Sequence, residues 1–213
     1  MPLSQIYIYR MVHIDNVPHI LANGITQRNS PNANPNYAPI GDADIINTRN
    51  QRHIFYKTVG MRRPRTVCIG DCIPFYFGFR TPMLYVIQRG FNSVTQQLPQ
   101  NIVYVVCSVQ SIIDNNLPFY FTDGHAIDML SSCYDNSYAD QLQNLVDLPA
   151  TKILDWTNNR DDKRKKEAEF LVGADIPVDC ITGFVCYDEN SQQILVNYGI
   201  DDSQVLVDSN RYF

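Results

Sequence analysis

The stretch N-I-V-Y-V-V-C-S-V, residues 101–109, is an almost unbroken apolar run rich in β-branched residues. A strand with one wet face alternates polar and apolar side chains, and this run does not alternate. It therefore predicts a central strand that is buried on both faces. Such a strand needs neighbouring strands on both edges and chain packed above and below it.

Shorter apolar stretches on either side of this run predict the neighbouring strands. They lie at 6–9, 73–78, 118–123, 168–172, 181–187 and 203–208. Helices are predicted at 15–24, from Asp42 or Asp44 onward, and at 138–148, where apolar side chains recur at helical spacing. The pattern indicates a mixed α+β fold of about six to eight strands with few long helices. No repeat or linker interrupts it, so we expect residues 1–213 to form a single domain.

Composition narrows the class of protein. The chain has no apolar run of about 18 residues and no secretion signal at its N-terminus, so we expect a cytoplasmic protein without a membrane segment. Among the six cysteines, Cys68 and Cys72 have C-x3-C spacing, but no His or Cys partners stand at zinc-site spacing. Reduced thiols are therefore expected rather than a metal site.

Positive charge is concentrated in two segments of a chain whose net charge is −5. The segments 49–65 and 160–166 together hold most of the 17 Lys and Arg residues. Such a pattern is compatible with an anionic ligand or a single nucleic-acid strand. Two solvated faces are the simpler interpretation of the charges alone.

Arg49 is predicted to point inward, because the helix that starts near Asp42 places it on one face with Ile45. A buried guanidinium needs an anionic partner, which is either an acidic residue of the domain or a bound ligand. The segment 28–41, R-N-S-P-N-A-N-P-N-Y-A-P-I-G, is a long polar loop ahead of this helix. Loops of that length are usually functional or mobile.

Six blocks occur in a characteristic order along the chain. They are Y-R-M-V-H-I-D-N-V-P-H-I-L-A-N-G, T-R-N-Q-R, D-C-I-P-F-Y-F-G-F-R-T-P-M-L-Y-V-I, L-P-F-Y-F-T-D-G-H, K-K-E-A-E-F-L-V and a terminal R-Y-F. In this order they resemble the DarT family, the DNA ADP-ribosyltransferase toxins of bacterial DarT–DarG toxin–antitoxin pairs. The resemblance covers nearly the whole chain, and P-F-Y-F-x-x-R-T-P-M-L followed by A-E-F-L-V is its most specific part.

The resemblance implies a fold and a reaction. The fold is ADP-ribosyltransferase-like, with two small twisted β-sheets around an NAD cleft and flanking helices. The reaction transfers ADP-ribose from the co-substrate NAD to a base in single-stranded DNA, with thymine as the expected base. It releases nicotinamide and blocks replication. The implied partners are single-stranded DNA and a DarG macrodomain antitoxin, without membrane or metal, and the implied state is a monomer.

Other functions stay open beside this one. The acceptor base is guanine in one alternative. In another, the acceptor is RNA or protein, and such an enzyme would share Glu169 without needing the basic segment 160–166. A catalytically silent module that only binds NAD or DNA is disfavoured by the presence of both Arg49 and Glu169. A nuclease is disfavoured because no Asp, Glu or His cluster stands at metal spacing.

Glu169, in A-E-F-L-V, matches the catalytic glutamate of the family. Cleavage of the bond between nicotinamide and ribose builds up oxocarbenium character, which a nearby carboxylate stabilises electrostatically. Glu167 is the rival, because in a Glu-x-Glu pattern the first position often receives the acceptor group and the second is catalytic. The structural alternative for Glu169 is a carboxylate at a strand end that pairs with Arg or Lys.

Arg49, in T-R-N-Q-R, matches the family's second catalytic residue. A cation there either holds the pyrophosphate of NAD or stabilises thymine as its N3 proton leaves. It is not expected to accept that proton, because guanidinium stays protonated in proteins. Arg52 is the fallback for this role.

The resemblance also implies binding residues on both sides of the reaction. The predicted NAD-binding residues are Arg10, His13, Asn16, Arg49, Tyr76 and Met83. Arg10 departs from the His of some relatives and suits a phosphate. His13 is alternatively a capping or core histidine, and Tyr76 either stacks on nicotinamide or belongs to the core. The predicted DNA-binding residues are His125, Arg160, Lys163, Arg164, Lys165, Lys166 and Glu167.

Overall fold

The computed structural model describes residues 1–92, 94–157 and 159–213. Within these ranges the chain forms one ten-stranded sheet with seven α-helices. The strands are β1 Tyr7–His13, β2 His53–Lys57, β3 Arg65–Cys68, β4 Ile73–Tyr76, β5 Ile102–Ser108, β6 Phe119–Thr122, β7 Cys133–Asp135, β8 Glu169–Val172, β9 Ile181–Cys186 and β10 Val205–Val207. The helices are α1 Val17–Asn23, α2 Ala43–Gln51, α3 Pro82–Arg89, α4 Val109–Asp114, α5 Leu142–Leu145, α6 Arg160–Lys166 and α7 Glu189–Asn197.

The run at 101–109 forms β5, which lies between β1 and β9. All seven residues of β5 are buried, so the prediction of a central strand is confirmed. β1 pairs with β5 in antiparallel fashion over its whole length. The complete strand order is β10-β9-β5-β1-β4-β8-β6-β7-β2-β3.

The fold is α+β as predicted, but one continuous sheet replaces the two small sheets that were expected. One half of the sheet contains β10, β9, β5 and β1, and the other half contains the remaining six strands, beginning with β4. The halves meet where β1 pairs with β4, at a single residue pair, Tyr9 opposite Tyr76. Pro74 lies in β4 and has no N–H to donate, which limits the ladder between the halves. The Arg10 guanidinium instead donates to the Pro74 carbonyl oxygen at 3.0 Å. The candidate cleft opens beside this junction.

Successive side chains of β8 point to opposite faces of the sheet and enter different apolar clusters. Phe170 belongs to the main core together with Phe121, whereas Leu171 packs in a smaller cluster with Cys72. All four residues of β8 are buried as a result. Glu169, the first of them, therefore lies inside the protein.

Several elements differ from the predictions. Of the helix predicted at 138–148, only α5 is α-helical, because Asn136–Gln141 forms a 3-10 helix and the backbone is already extended at Val146. The basic segment 160–166, for which no helix is predicted from the sequence, forms α6 with Asn159 as its N-cap. The short, charged strands β2 and β3 carry no apolar alternation that predicts them. In the described parts of the chain, no helix is long and apolar enough to cross a membrane.

Candidate active site

Glu169 forms the centre of a buried ion pair. Its side chain is 1% exposed, and each carboxylate oxygen accepts a hydrogen bond from Arg49, at 3.1 Å from Nη1 and 2.7 Å from Nη2. The backbone N–H of Ala126 donates to Oε1 at 2.9 Å. Two-pronged guanidinium–carboxylate pairs of this kind are strong and fix the orientation of both groups.

Helix α2 delivers Arg49 from its last turn. Asp42 is the N-cap of the helix, and its carboxylate accepts hydrogen bonds from the N–H groups of Asp44 and Ile45. The last turn lies against Gly70, where a Cβ atom would come within 2.4 Å of the Asn50 Cα atom. Only glycine permits this approach, so α2 is held at both ends and Arg49 is directed at Glu169.

The loop after β6 delivers the third donor to Glu169. Thr122 Oγ1 donates to the Gly124 carbonyl at 2.6 Å and accepts from the Glu169 N–H at 3.0 Å. The N–H of His125 in turn donates to the Arg164 carbonyl of α6 at 3.0 Å. These bonds fix the backbone from 122 to 126, which aims the Ala126 N–H at the carboxylate.

The ion pair shifts the pKa values of both partners. Burial alone raises the pKa of a carboxyl, but the charges of Arg49 and His125, with the hydrogen bonds from Arg49 and Ala126, hold the pKa of Glu169 below its usual range. The Arg49 pKa is raised, because the attraction of Glu169 outweighs the desolvation of the guanidinium. Glu169 is therefore an anion and Arg49 a cation throughout the neutral pH range.

Glu167 has the opposite electrostatic character. It lies at the C-cap of α6 and is only half-buried. Burial raises the pKa of Glu167, against the lowering effect of His125 and Lys163, and the charge of Glu169 raises it further. A carboxyl of this kind exchanges protons more readily near neutral pH than Glu169 does.

A cleft in two parts runs past the ion pair. The first cavity, of about 170 Å³, has Glu169, Tyr76 and His125 in its wall. The second, of about 400 Å³, is lined by Gln27 and Asp71, among others. Both parts share the following wall residues: Arg10, Tyr37, Pro39, Ile46, Arg49 and Pro74. The cleft is thus continuous along the Arg10–Arg49 side.

The segment 28–41 covers this cleft and is held at both ends. The buried Asn16 amide donates to the Ala38 carbonyl at 2.8 Å and accepts from its N–H at 2.9 Å. Asp175 accepts from the Gln27 N–H at 2.6 Å and from the Ser30 hydroxyl at 2.5 Å. The predicted long loop is therefore an ordered wall of the cleft.

Residues 9–213 match the family model described as ssDNA thymidine ADP-ribosyltransferase, DarT. The chain belongs to the DarT family. A relative named DNA ADP-ribosyl transferase, from Escherichia coli O127:H6 (strain E2348/69 / EPEC), is 31% identical over 186 residues, which are 85% of this chain and 80% of the relative. Another of that name, from Thermus sp. (strain 2.9), is 32% identical over 184 residues, covering 85% of this chain and 81% of the relative.

Solved structures of DarT proteins resemble the fold over its whole length. Thermus sp. 2.9 DarT in complex with ADP-ribosylated ssDNA matches with a TM-score of 0.81 at 27% identity, covering 100% of this chain and 98% of that one. The same protein in complex with carba-NAD+ matches with a TM-score of 0.77 at 26% identity, with 100% of both chains covered. The resemblance seen in the sequence motifs is thereby confirmed.

The DarT cleft contains four of the six predicted NAD-binding residues: Arg10, Arg49, Tyr76 and Met83. His13 and Asn16 are not among the wall residues of the two cavities. His13 accepts the Asp15 N–H at 3.2 Å, and Asn16 holds the covering loop. Arg52, the fallback for Arg49, is exposed and also absent from both walls.

The predicted DNA-binding residues of this DarT protein fall into different environments. Lys166 is fully buried, and its ammonium donates to the carbonyls of Phe79, Thr151 and Ile153. Burial lowers its pKa to about 8. An ammonium has three donors, so Lys166 has none left for a phosphate.

The other residues of the predicted set are exposed to different degrees. Arg164 binds Asp161 and Asp123, and Lys165 binds Asp161 and Asp147. Within α6, Arg160 and Lys163 are the exposed cations. His125 lies in the cavity wall beside Glu169, while Glu167 lies outside that wall.

Two parts of the DarT site carry no signal in the sequence. Ala126 acts through its backbone N–H, so its side chain gives no indication of the role. Asp175 is one acidic residue among many until the fold brings it to the loop. In the described ranges, no group of three or more His, Cys, Asp or Glu residues is arranged to hold a metal ion.

Proposed function

We propose that this protein transfers ADP-ribose from NAD to thymine in single-stranded DNA and releases nicotinamide. The observation that carries the proposal is the buried Arg49–Glu169 pair in the wall of a two-part cleft, in a chain of the DarT family. A family relative solved with ADP-ribosylated ssDNA and with carba-NAD+ has the same fold throughout.

The cleft suits NAD in shape and charge. Arg10 lies in the wall shared by both cavities, and its Nε atom is buried without a hydrogen-bond partner among the described residues. An unsatisfied buried donor of this kind suits a pyrophosphate oxygen. We assign the nicotinamide end to the cavity that contains Tyr76 and Met83, and the adenosine end to the larger cavity.

Glu169 stabilises the developing charge on ribose. When the bond between ribose C1′ and the nicotinamide nitrogen breaks, its electron pair leaves with nicotinamide, which departs neutral. Positive charge then builds on the ribose, next to a carboxylate that is fixed and ionised. Oε2 accepts one described hydrogen bond, from Arg49, and a carboxylate oxygen has two lone-pair sites. The remaining site is available to a ribose hydroxyl.

The acceptor base is assigned to the Glu167 side of the site. A new bond from thymine N3 to C1′ requires loss of the N3 proton, and the raised pKa of Glu167 makes it the better proton acceptor of the two glutamates. His125, a residue of the cleft wall, is close enough to Glu167 to lower its pKa, which connects Glu167 to the cleft. The charge of Arg49 stabilises the imide anion without accepting the proton.

The test is mass spectrometry of short single-stranded oligonucleotides after incubation with the protein and NAD. Four oligonucleotides are used, each lacking one base, with Glu169→Gln as the matched control. We expect an ADP-ribose adduct on every oligonucleotide except the one without thymine, and none with the variant. Loss of the adduct only without guanine would change the base, and NAD turnover without a DNA adduct would move the proposal to an RNA or protein acceptor.

We also propose a partner, a location and an oligomeric state for this protein. A cognate DarG antitoxin follows from the family and from the toxin–antitoxin context implied by the motifs. The proposal includes a cytoplasmic location and a monomeric state. Size-exclusion chromatography with light scattering would test the monomer.

A further inference from the structure

The segment 52–68, here called the basic hairpin, contains β2, β3 and the turn between them. No acidic residue occurs between Asp44 and Asp71, although the protein as a whole is acidic. The cations of the basic hairpin are Arg52, Lys57, Arg62, Arg63 and Arg65. Such a concentration of one sign on an acidic protein attracts a polyanion to that edge of the sheet.

In the described part of the chain, the four arginines of the basic hairpin are unpaired, whereas three of the five cations of α6 are paired or buried. Arg52, Arg62, Arg63 and Arg65 are all exposed, and none lies within 4.0 Å of a carboxylate oxygen among the described residues. In α6, by comparison, Arg164 and Lys165 are neutralised by aspartates and Lys166 is buried. The basic hairpin is therefore the better phosphate-binding surface of the two.

The strand register connects the basic hairpin to the catalytic residue. Arg65 lies opposite Tyr56, Tyr56 opposite Cys133, and Cys133 opposite Thr122. Thr122 accepts the N–H of Glu169. Residues opposite each other share a face of the sheet, so this row runs from Glu169 to Arg65 on one face. Adjacent strands are ~4.8 Å apart, and four steps give roughly 19 Å, a span that a few linked nucleotides can cover.

Two tyrosines lie along this row. The rings of Tyr56 and Tyr120 are 4.7 Å apart between centroids, and both side chains are only partly buried. Tyr120 shares the face of Thr122, because it precedes Thr122 by two residues in β6. Aromatic rings between a reaction site and phosphate-binding cations are the arrangement that single strands use for stacking.

We propose that the basic hairpin binds the phosphates of single-stranded DNA next to the modified base, with Tyr56 and Tyr120 as stacking surfaces. The proposal rests on the function proposed above. DNA is favoured over an acidic protein surface because Arg65 ends a row that begins at Glu169 and includes an aromatic ring, with the other cations of the hairpin nearby in sequence. The basic hairpin, rather than α6, then supplies the dominant phosphate contacts.

The test measures the salt dependence of binding to a labelled single strand by fluorescence anisotropy, without NAD. Each phosphate contact to a single strand contributes about 0.7 to the slope of log K against log salt. Arg62→Ala with Arg65→Ala should therefore reduce the slope by about 1.4. Arg62→Lys with Arg65→Lys should preserve it, because Lys serves as a point charge for phosphate.

A matched control removes two exposed cations elsewhere. Arg89 and Lys152 are exposed and lie outside the row, so Arg89→Ala with Lys152→Ala should leave the slope unchanged. Tyr56→Leu should lower affinity roughly tenfold without altering the slope, since stacking releases no counterions.

The inference is overturned if the hairpin variant keeps the wild-type slope, or if the control loses as much slope as the hairpin variant. If the hairpin variant binds DNA as the wild type does but no longer binds an acidic protein partner, the surface belongs to that partner instead. Wild-type protein that modifies no oligonucleotide in the mass-spectrometric test marks failure of the proposed function. If the wild-type protein modifies the oligonucleotide and the hairpin variant keeps the wild-type slope, only this inference has failed.

Discussion

Glu167 and Glu169 lie two residues apart, yet the protein surrounds them differently. Glu169 starts β8, is buried, and accepts three hydrogen bonds from Arg49 and Ala126. Glu167 ends α6, is half-exposed, and has no side-chain hydrogen bond or ion pair with the described residues. The pKa of Glu169 is lowered, while burial raises that of Glu167.

This difference separates two chemical tasks. A carboxylate that must stay ionised beside a developing cation needs fixed donors and a paired cation. A carboxylate that must take up a proton needs a pKa closer to neutral. The helix-to-strand junction produces both from one residue type, because two residues after Glu167 the chain enters the sheet and its covered interior.

The largest effect is expected for Glu169→Gln. The amide keeps the shape but loses the negative charge, so the transfer rate should fall by roughly 10²–10³, the range for removal of one electrostatic stabiliser. The rate is measured by adduct formation on a thymine oligonucleotide. Glu167→Gln is measured in parallel, and loss of the same acidic limb from the pH profiles of both variants would remove the distinction between the two glutamates.

Arg49→Ala should lower the stability of the protein and change how that stability depends on pH. Loss of one partner of a buried pair leaves an unpaired charge and costs about 3–5 kcal/mol. Without Arg49, burial raises the pKa of Glu169 above its unfolded value, near 4.3. The folded state then binds the proton more tightly, so the stability of the variant should fall as pH rises through that raised pKa.

In the wild-type protein, the contribution of Glu169 to stability depends on pH with the opposite sign. Its lowered Glu169 pKa contributes stability that is present above the unfolded pKa and is lost as pH falls through the folded pKa. Thermal unfolding at about pH 5 and about pH 8 distinguishes the two, because Glu167 contributes equally to both proteins and the variant should lose additional stability between these pH values relative to the wild type. A variant with equal midpoints at both pH values would show that Arg49 does not determine the ionisation of Glu169.

Both members of the Arg49–Glu169 pair could be predicted from the sequence, but their contact with each other could not. Helical spacing placed Arg49 inward with an unknown anion, and the A-E-F-L-V motif marked Glu169. The two are 120 residues apart in sequence, so only the strand order and the packing of α2 bring them together. The join of the two half-sheets at one residue pair, Tyr9 with Tyr76, is likewise a tertiary property.

The two basic segments show the same limit of prediction from the sequence. Both 49–65 and 160–166 read as clusters of positive charge. In the structure, the aspartates that neutralise Arg164 and Lys165 include Asp123 and Asp147, which are distant in sequence. Charge counting along the chain cannot reveal such pairing, because it depends on how the loops pack against α6.

Glu167→Gln should have an intermediate effect. Loss of a proton acceptor typically costs about 10²-fold in the transfer step. In the wild-type protein, kcat/KM should fall as pH drops through the pKa of Glu167, and the raised pKa sets this limb above the usual carboxyl range. The limb should be missing from the pH profile of the variant, and its persistence would assign the proton to another group.

The smallest effect is expected for Lys163→Ala. This change tests the difference between the two glutamates, because it acts chiefly on Glu167. The charge of Lys163 lowers the pKa of Glu167, whereas the charges that chiefly lower the pKa of Glu169 are those of Arg49 and His125. Its removal should move the acidic limb of the pH profile to slightly higher pH without changing the rate on the plateau. Lys163 is exposed, so its influence is screened by salt, and the difference between variant and wild type should vanish at about 1 M salt, where the Debye length is ~3 Å. A difference that persists at high salt would mean that Lys163 contacts the substrate directly, and the electrostatic account of Glu167 would then need a second partner.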